Sequence, residues 1–78
     1  MSDTSILVEI YVREIGYYFI GGEIMVTSPD GIGHEARKIS SFEEGSVMSS
    51  ADFLFILDDA GKTIKKIRKD AVVERVYS

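Results

Sequence analysis

Five consecutive apolar residues, Phe53–Leu57, most strongly constrain how this chain can fold. The run is followed by the turn-forming segment Asp58–Gly61, so it has the length of one strand. Alternate side chains of a strand point to opposite sides, and a strand that is apolar on both sides must be covered on both sides. The two sets are Phe53, Phe55 and Leu57 on one side, and Leu54 and Ile56 on the other. Because 78 residues make only one small domain, we expect the second cover to be a short helix or a second protomer.

The apolar composition favours strands over helices along the rest of the chain. Isoleucine and valine together number 17, whereas leucine and alanine together number 7. Branched side chains fit the pleated surface of a sheet, while a helical bundle would draw on leucine and alanine. Seven glycines and one proline supply turns between short strands. The composition therefore predicts a mostly β protein.

Alternation along the chain places the further strands. The first segment carries Ile6, Val8, Ile10 and Val12 at a spacing of two, which predicts that these four side chains form its buried face. Gly21-Gly22 predicts a bulge or sharp bend between two extended segments, and Ser28–Gly31 predicts a turn. The other predicted strands are Tyr17–Ile20, Glu23–Thr27, Thr63–Ile67 and Val72–Val76, with a tight turn at Arg68–Ala71.

The stretch from Ile32 to Ser50 fits two structures. Ile32, Ala36, Ile39 and Phe42 fall at helical spacing, which predicts a short helix near His34–Glu44. Gly33 and the small pair Ser40-Ser41 favour a strand followed by a loop instead. The whole chain, residues 1–78, is thus predicted to be a single small, strongly bent β-barrel or roll of five to six short strands, with at most one short helix.

Two segments resemble the small barrel of Sm-like proteins, including the bacterial host-factor type. Val8–Val12, the glycine turn at Gly16 and Gly22–Ile24 resemble the first motif of that family. Phe53–Leu57, a turn and Ile67–Val72 resemble the second, with residues 28–51 as an insertion. The resemblance implies a bent five-stranded barrel that assembles through its edge strands and contacts single-stranded RNA near Arg68 and Lys69. An SH3-like barrel would show much the same pattern.

Basic residues are concentrated near the carboxyl terminus. Residues 1–60 carry a charge of −8 and residues 61–78 a charge of +4, which sum to the net −4. The two strands predicted within residues 61–78 would form a basic hairpin. This hairpin could contact phosphates, or it could be a solvated edge of the sheet whose lysines prevent pairing with strands of other molecules. The overall pI of 4.8 favours the second interpretation. The candidate anion contacts are Lys62, Lys65, Lys66, Arg68, Lys69 and Arg75.

Acidic residues are spread over the remaining chain. A compact anionic surface could occupy a basic groove on another protein, as nucleic-acid mimics do, although solubilising charge explains the same composition. The candidate acidic face comprises Glu9, Glu14, Glu23, Glu43, Glu44, Asp58 and Asp59. An aromatic surface is a third candidate: of Tyr17 and Tyr18, beside Phe19, alternation sends one tyrosine to the core, and we expect mainly core packing there.

The sequence shows no recognisable pair of nucleophile and general base that would indicate an enzyme. The chain has no cysteine, and its single histidine, His34, lacks a plausible nucleophile or orienting partner and is expected at the surface. We therefore expect no enzyme activity, no metal site and no cofactor.

The remaining function class is a binding module. We expect a protein partner or a second copy of the chain; the alternatives are a barrel that binds single-stranded nucleic acid and an acidic inhibitor. The longest apolar run is far shorter than a bilayer span, and Asp3 without lysine or arginine precedes Ile6, so neither a membrane segment nor a signal peptide is expected and the location is predicted to be cytoplasmic.

Overall fold

The computed structural model describes residues 5–78, and these residues form eight short strands with one 3-10 turn. The prediction about the segment before Ile6 concerns residues that lie largely outside this range. The strands are β1 (Leu7–Val12), β2 (Gly16–Phe19), β3 (Glu23–Thr27), β4 (His34–Lys38), β5 (Ser41–Glu44), β6 (Phe53–Leu57), β7 (Thr63–Arg68) and β8 (Val72–Tyr77), and the 3-10 turn is Lys69–Ala71.

All strand pairs are antiparallel, and they form three sheets. The first sheet has the order β2-β1-β8, the second sheet has the order β5-β6-β7, and β3 and β4 form a separate hairpin. Backbone hydrogen bonds between Gly21 and Ile39, and between Ile39 and Gly22, join the hairpin to the bends on either side. The mostly β, strongly bent fold is confirmed, although the strands number eight and do not close into a single barrel. The molecule is elongated, with extents of 47 × 26 × 25 Å.

One apolar core lies between the inner sides of the sheets. Leu54 and Ile56 of β6 are fully buried, as is Ile10 of β1, and they pack in one cluster with residues from the other strands. The members with less than a tenth of their surface exposed are Leu7, Ile10, Val12, Ile24, Ile39, Leu54, Ile56, Ile67 and Val72. The predicted division of Phe53–Leu57 into two sides is confirmed, because Phe53, Phe55 and Leu57 remain only half-buried.

Of the two structures predicted for this stretch, the helix at His34–Glu44 is wrong, and the strand is correct for its first part. The segment forms β4 and β5, which pair with β3 and β6, and the buried Ile39 lies at the bend between them. Ile32, assigned to the apolar stripe of the helix, is 78% exposed, and Ala36 is exposed as well. The residues at helical spacing do not share a buried side, so a helix would gain little from packing. Hydrogen bonds to partner strands on both sides of the bend therefore determine the structure of this segment.

The predicted buried face of β1 is wrong at its first half. Leu7 is buried while Ile6 is 62% exposed and Val8 is intermediate. Leu7 pairs with Tyr77 whereas Glu9 pairs with Val76, so β1 carries one extra residue between them. This bulge reverses the alternation, since a shift of one residue exchanges the two sides of a strand. The predicted face is correct from Ile10 onward.

Glu14, in the turn between β1 and β2, has a φ of 69°, the left-handed region that disfavours residues with a side chain. We predict that Glu14→Gly raises the free energy of unfolding by about 0.5–1 kcal/mol, because glycine adopts this φ without a steric cost. Urea unfolding measures the difference. Glu14→Ala is the matched control: it removes the same charge but retains the strain, and an equal gain in both variants would contradict the explanation.

Candidate functional site

The outer side of the first sheet carries a regular array of uncovered side chains. Its two cross-strand rows follow from the register of β2, β1 and β8. We call this surface the acidic aromatic face. Its first row consists of Phe19, Glu9 and Val76, and its second row consists of Tyr17, Tyr11 and Glu74.

The aromatic side chains of this face are open to solvent. Tyr17 is 58% exposed and Phe19 is 50% exposed, while Val76 on β8 is 38% exposed. The rings of Tyr11 and Tyr17 lie 4.7 Å apart between centroids with planes tilted by 44°, a favourable arrangement for an aromatic pair. Tyr18, on the other side of β2, packs against the core, and burial raises its pKa. The prediction that one tyrosine enters the core is confirmed by Tyr18, whereas the prediction of mainly core packing is wrong for Tyr17 and Phe19.

The outer side of the second sheet is also aromatic, but its charged residues differ. Phe53 pairs with Arg68 and Phe55 pairs with Lys66, and the Lys66 Nζ lies 4.5 Å from the centroid of the Phe53 ring. Glu43 of β5 pairs with Phe55 on the same side. We call this surface the basic aromatic face; it comprises Glu43, Phe53, Phe55, Leu57, Lys66 and Arg68. Within residues 5–78 no helix covers it.

The six basic residues predicted as one patch are separated in the structure. Only Lys66 and Arg68 lie on the outer side of β7, and Arg68 is also 3.4 Å from Asp70. Lys69 donates to the carbonyl of Gly45 and approaches Glu44. The remaining three are Lys62 in the turn before β7, Lys65 opposite Ile56 on the inner side, and Arg75, whose Nη2 is 3.2 Å from Glu44 Oε1.

The predicted acidic face does not form one surface either. Glu44 lies between Arg75 and Lys69, so its charge is compensated within the molecule. Asp58 is buried, with 3% of its surface exposed, and takes no part in an anionic surface. The others are dispersed: Glu9 on the acidic aromatic face, Glu14 in the first turn, Glu23 on β3, Glu43 on the basic aromatic face and Asp59 in the β6–β7 turn.

Asp58 instead organises the β6–β7 turn. Its Oδ1 accepts hydrogen bonds from the backbone N–H groups of Ala60 and Lys62, each 2.9 Å long. Its Oδ2 accepts a charge-assisted hydrogen bond from Arg37 of β4, which also contacts Glu35 at 3.3 Å. The pKa of Asp58 is lowered, and the main cause is the hydrogen bond from the backbone N–H of Lys62. Burial opposes this effect, whereas the hydrogen bond from the backbone N–H of Ala60 and the positive charges of Arg37 and Lys62 add to it.

A cleft of about 210 Å³ lies beside this contact, between the hairpin and the start of β7. The Arg37 guanidinium already contacts the carboxylates of Glu35 and Asp58, so it is not free to bind an anion in the cleft. The lining residues are Val26, Thr27, Pro29, Glu35, Arg37, Lys62, Thr63 and Ile64. His34 is exposed on β4, as predicted, and is not among these lining residues. In the described part of the chain, no three residues of the metal-binding types gather into a site.

We predict that Asp58 makes the protein sensitive to acid. A carboxyl whose pKa is lowered by folding contributes stability above its unfolded pKa, near 3.8, and that contribution is lost as the pH falls through the folded value. Asp58→Asn should therefore be less stable than the wild type at neutral pH and should lose less stability between about pH 5 and about pH 2. Thermal unfolding across this range checks the expectation. The exposed neighbour provides the control Asp59→Asn, and identical behaviour of the two variants would refute it.

None of the described helical segments has the length and apolar character required to span a membrane. Comparison with protein-family models, with curated proteins and with solved structures found no match. The resemblance to Sm-like and SH3-like barrels therefore stays a prediction, and the site is interpreted from its own geometry.

Proposed function

We propose that this protein is a non-enzymatic binding module that engages a protein partner, or a second copy of itself, through the acidic aromatic face. The observation that carries the proposal is the open row of aromatic side chains on β1 and β2. Tyr17 and Phe19 are each at least half exposed on a rigid strand, beside the half-buried Tyr11. Tyrosine and phenylalanine on a fixed backbone lose little conformational freedom when they are covered.

The two open rings supply part of the free energy of binding. A fully covered aromatic side chain buries about 150–250 Å², so covering the exposed parts of Tyr17 and Phe19 contributes about 2–3 kcal/mol each. The cost of association, at least about 4 kcal/mol, offsets most of this gain, so a stable complex also needs contacts around the rings. Glu9 and Glu74 interrupt the apolar surface and supply charge that selects a partner, whereas the rings supply affinity. The expected partner surface is therefore apolar at its centre and bears cationic groups.

The two alternative functions have less support from the positions of their residues. A nucleic-acid interface would use the basic hairpin, but only Lys66 and Arg68 of the six candidates share the outer side of the second sheet. An acidic inhibitor would need a continuous anionic surface, and the acidic candidates are dispersed, with Asp58 buried. Both stay alternatives that binding experiments can distinguish.

We predict that the double variant Tyr17→Ser with Phe19→Ser folds and loses binding. About half of each side chain is buried and Tyr17 packs against Tyr11, so the free energy of unfolding should fall by about 1–2 kcal/mol per substitution, while affinity for the partner should fall at least tenfold. Circular dichroism checks the fold, and affinity capture from a lysate, with quantification of each recovered protein, checks binding.

The matched control is Ile15→Ser with Ile32→Ser, which removes two apolar side chains, 59% and 78% exposed, that lie in turns outside the face. The proposal requires a protein that the wild type and this control recover equally and the Tyr17/Phe19 variant does not. If every recovered protein binds the wild type and both variants equally, the acidic aromatic face is not the binding surface.

A further inference from the structure

The two outer faces carry exposed groups of opposite charge. The acidic aromatic face places Glu9 and Glu74 among open rings, whereas the basic aromatic face places Lys66 and Arg68 beside half-buried ones. On the second face Glu43 and Asp70 equal Lys66 and Arg68 in number, so the formal charges cancel and the attraction depends on local pairing of the exposed Lys66 and Arg68 with carboxylates of the first face. The basic aromatic face thus offers apolar area together with cations that can pair with Glu9 and Glu74.

The two faces point away from one another within one molecule. Ile10 and Val72 on the inner side of the first sheet pack in the same core as Leu54 and Ile67 on the inner side of the second sheet. Because side chains alternate along a strand, the opposite sides of both sheets face outward from this shared core. A single molecule therefore cannot satisfy one face with the other.

We propose that the occupant of the acidic aromatic face is a second copy of this chain, docked through its basic aromatic face. This inference rests on the proposed function and names its partner. Pairing two acidic aromatic faces would bring Glu9 and Glu74 against the same carboxylates, whereas docking on the basic aromatic face places Lys66 and Arg68 near them. Like charges in an apolar contact are costly, so the head-to-tail arrangement is favoured over pairing of two acidic aromatic faces. The basic aromatic face carries charges of both signs, and pairing of two such faces would appear as a dimer of the Tyr17/Phe19 variant alone.

Head-to-tail contact through opposite sides of the molecule leaves one free face at each end of every assembly that has not closed into a ring. Such a contact adds further copies rather than closing into a dimer. The mass in solution should therefore increase past two copies as the protein concentration rises. Because exposed charges on both faces contribute, the association should weaken as salt increases.

Light scattering on wild-type protein from about 10 to about 500 μM is the first measurement, since this range brackets weak association. We expect an average mass that exceeds twice 8.7 kDa at the upper concentrations and decreases between about 50 mM and about 500 mM salt. A wild type that stays monomeric throughout, or that stops at two copies, would overturn the proposal.

Two variants that each disable one face provide the decisive test. Tyr17→Ser with Phe19→Ser removes the rings of the acidic aromatic face, and Lys66→Glu with Arg68→Glu reverses the basic one. Each variant alone should remain monomeric, whereas their equimolar mixture should form a complex that stops at two copies, because each supplies one intact face. Ile15→Ser with Ile32→Ser should associate like the wild type.

Several results would count against the head-to-tail arrangement. They are a mixture that remains monomeric, a mixture that grows without limit, or a Lys66/Arg68 variant that associates as well as the wild type. If that last variant instead loses affinity for a mixed single-stranded oligonucleotide, the basic aromatic face binds nucleic acid. If charge reversal prevents folding, Lys66→Gln with Arg68→Gln replaces it. Lysate capture that depends on Tyr17 and Phe19 would still support the proposed function, so the two claims fail separately.

Discussion

A chain of this length can cover only one side of each of its sheets, and the rest of the structure follows from that limit. Within residues 5–78 the core consists of the inner side chains of two bent sheets, with Leu54 and Ile56 at its centre. Small domains bury a modest fraction of their surface, so little chain is left to form another layer. The outer sides therefore lack a second layer within the described residues: Tyr17 and Phe19 are exposed on one sheet, and Phe53 and Phe55 are half-buried on the other.

Local irregularities decide which side chains reach the outer sides. β1 carries one extra residue before Glu9, and β8 carries one at Val73. Between these two bulges, Glu9 pairs with Val76 and Tyr11 pairs with Glu74 on the outer side, and beyond the second bulge Val72 points into the core. Ion pairs then close the space between elements: Arg75 of β8 contacts Glu44 of β5, and Arg37 of β4 contacts Asp58. The charges predicted to form binding patches are thus partly used to hold strands together.

The sequence predicted the elements whose signals are local. Alternation and turn residues located β6, β7 and β8, and the division of Phe53–Leu57 into two sides was correct, since a period of two survives wherever a strand lacks a bulge. The sequence left a helix and a strand open at His34–Glu44, and its alternation assigned Ile6 and Val8 to the wrong side of β1. At both places the partner strand sets the conformation, and no local pattern indicates that partner. The sequence likewise gives no local sign that Asp58 is buried, because its partner Arg37 lies 21 residues away along the chain.

The central claim is that the molecule works through its outer sheet faces. Amide chemical shifts measured by NMR across a dilution series test it most directly, because each shift reports on one residue of the folded protein. The account predicts concentration-dependent shifts along β1, β2 and β8 and along β6 and β7, with the hairpin tip at Ser28–Gly33 unchanged. Shifts confined to that tip or to the cleft beside Arg37, or spectra that do not change with concentration or with an added binding protein, would contradict it.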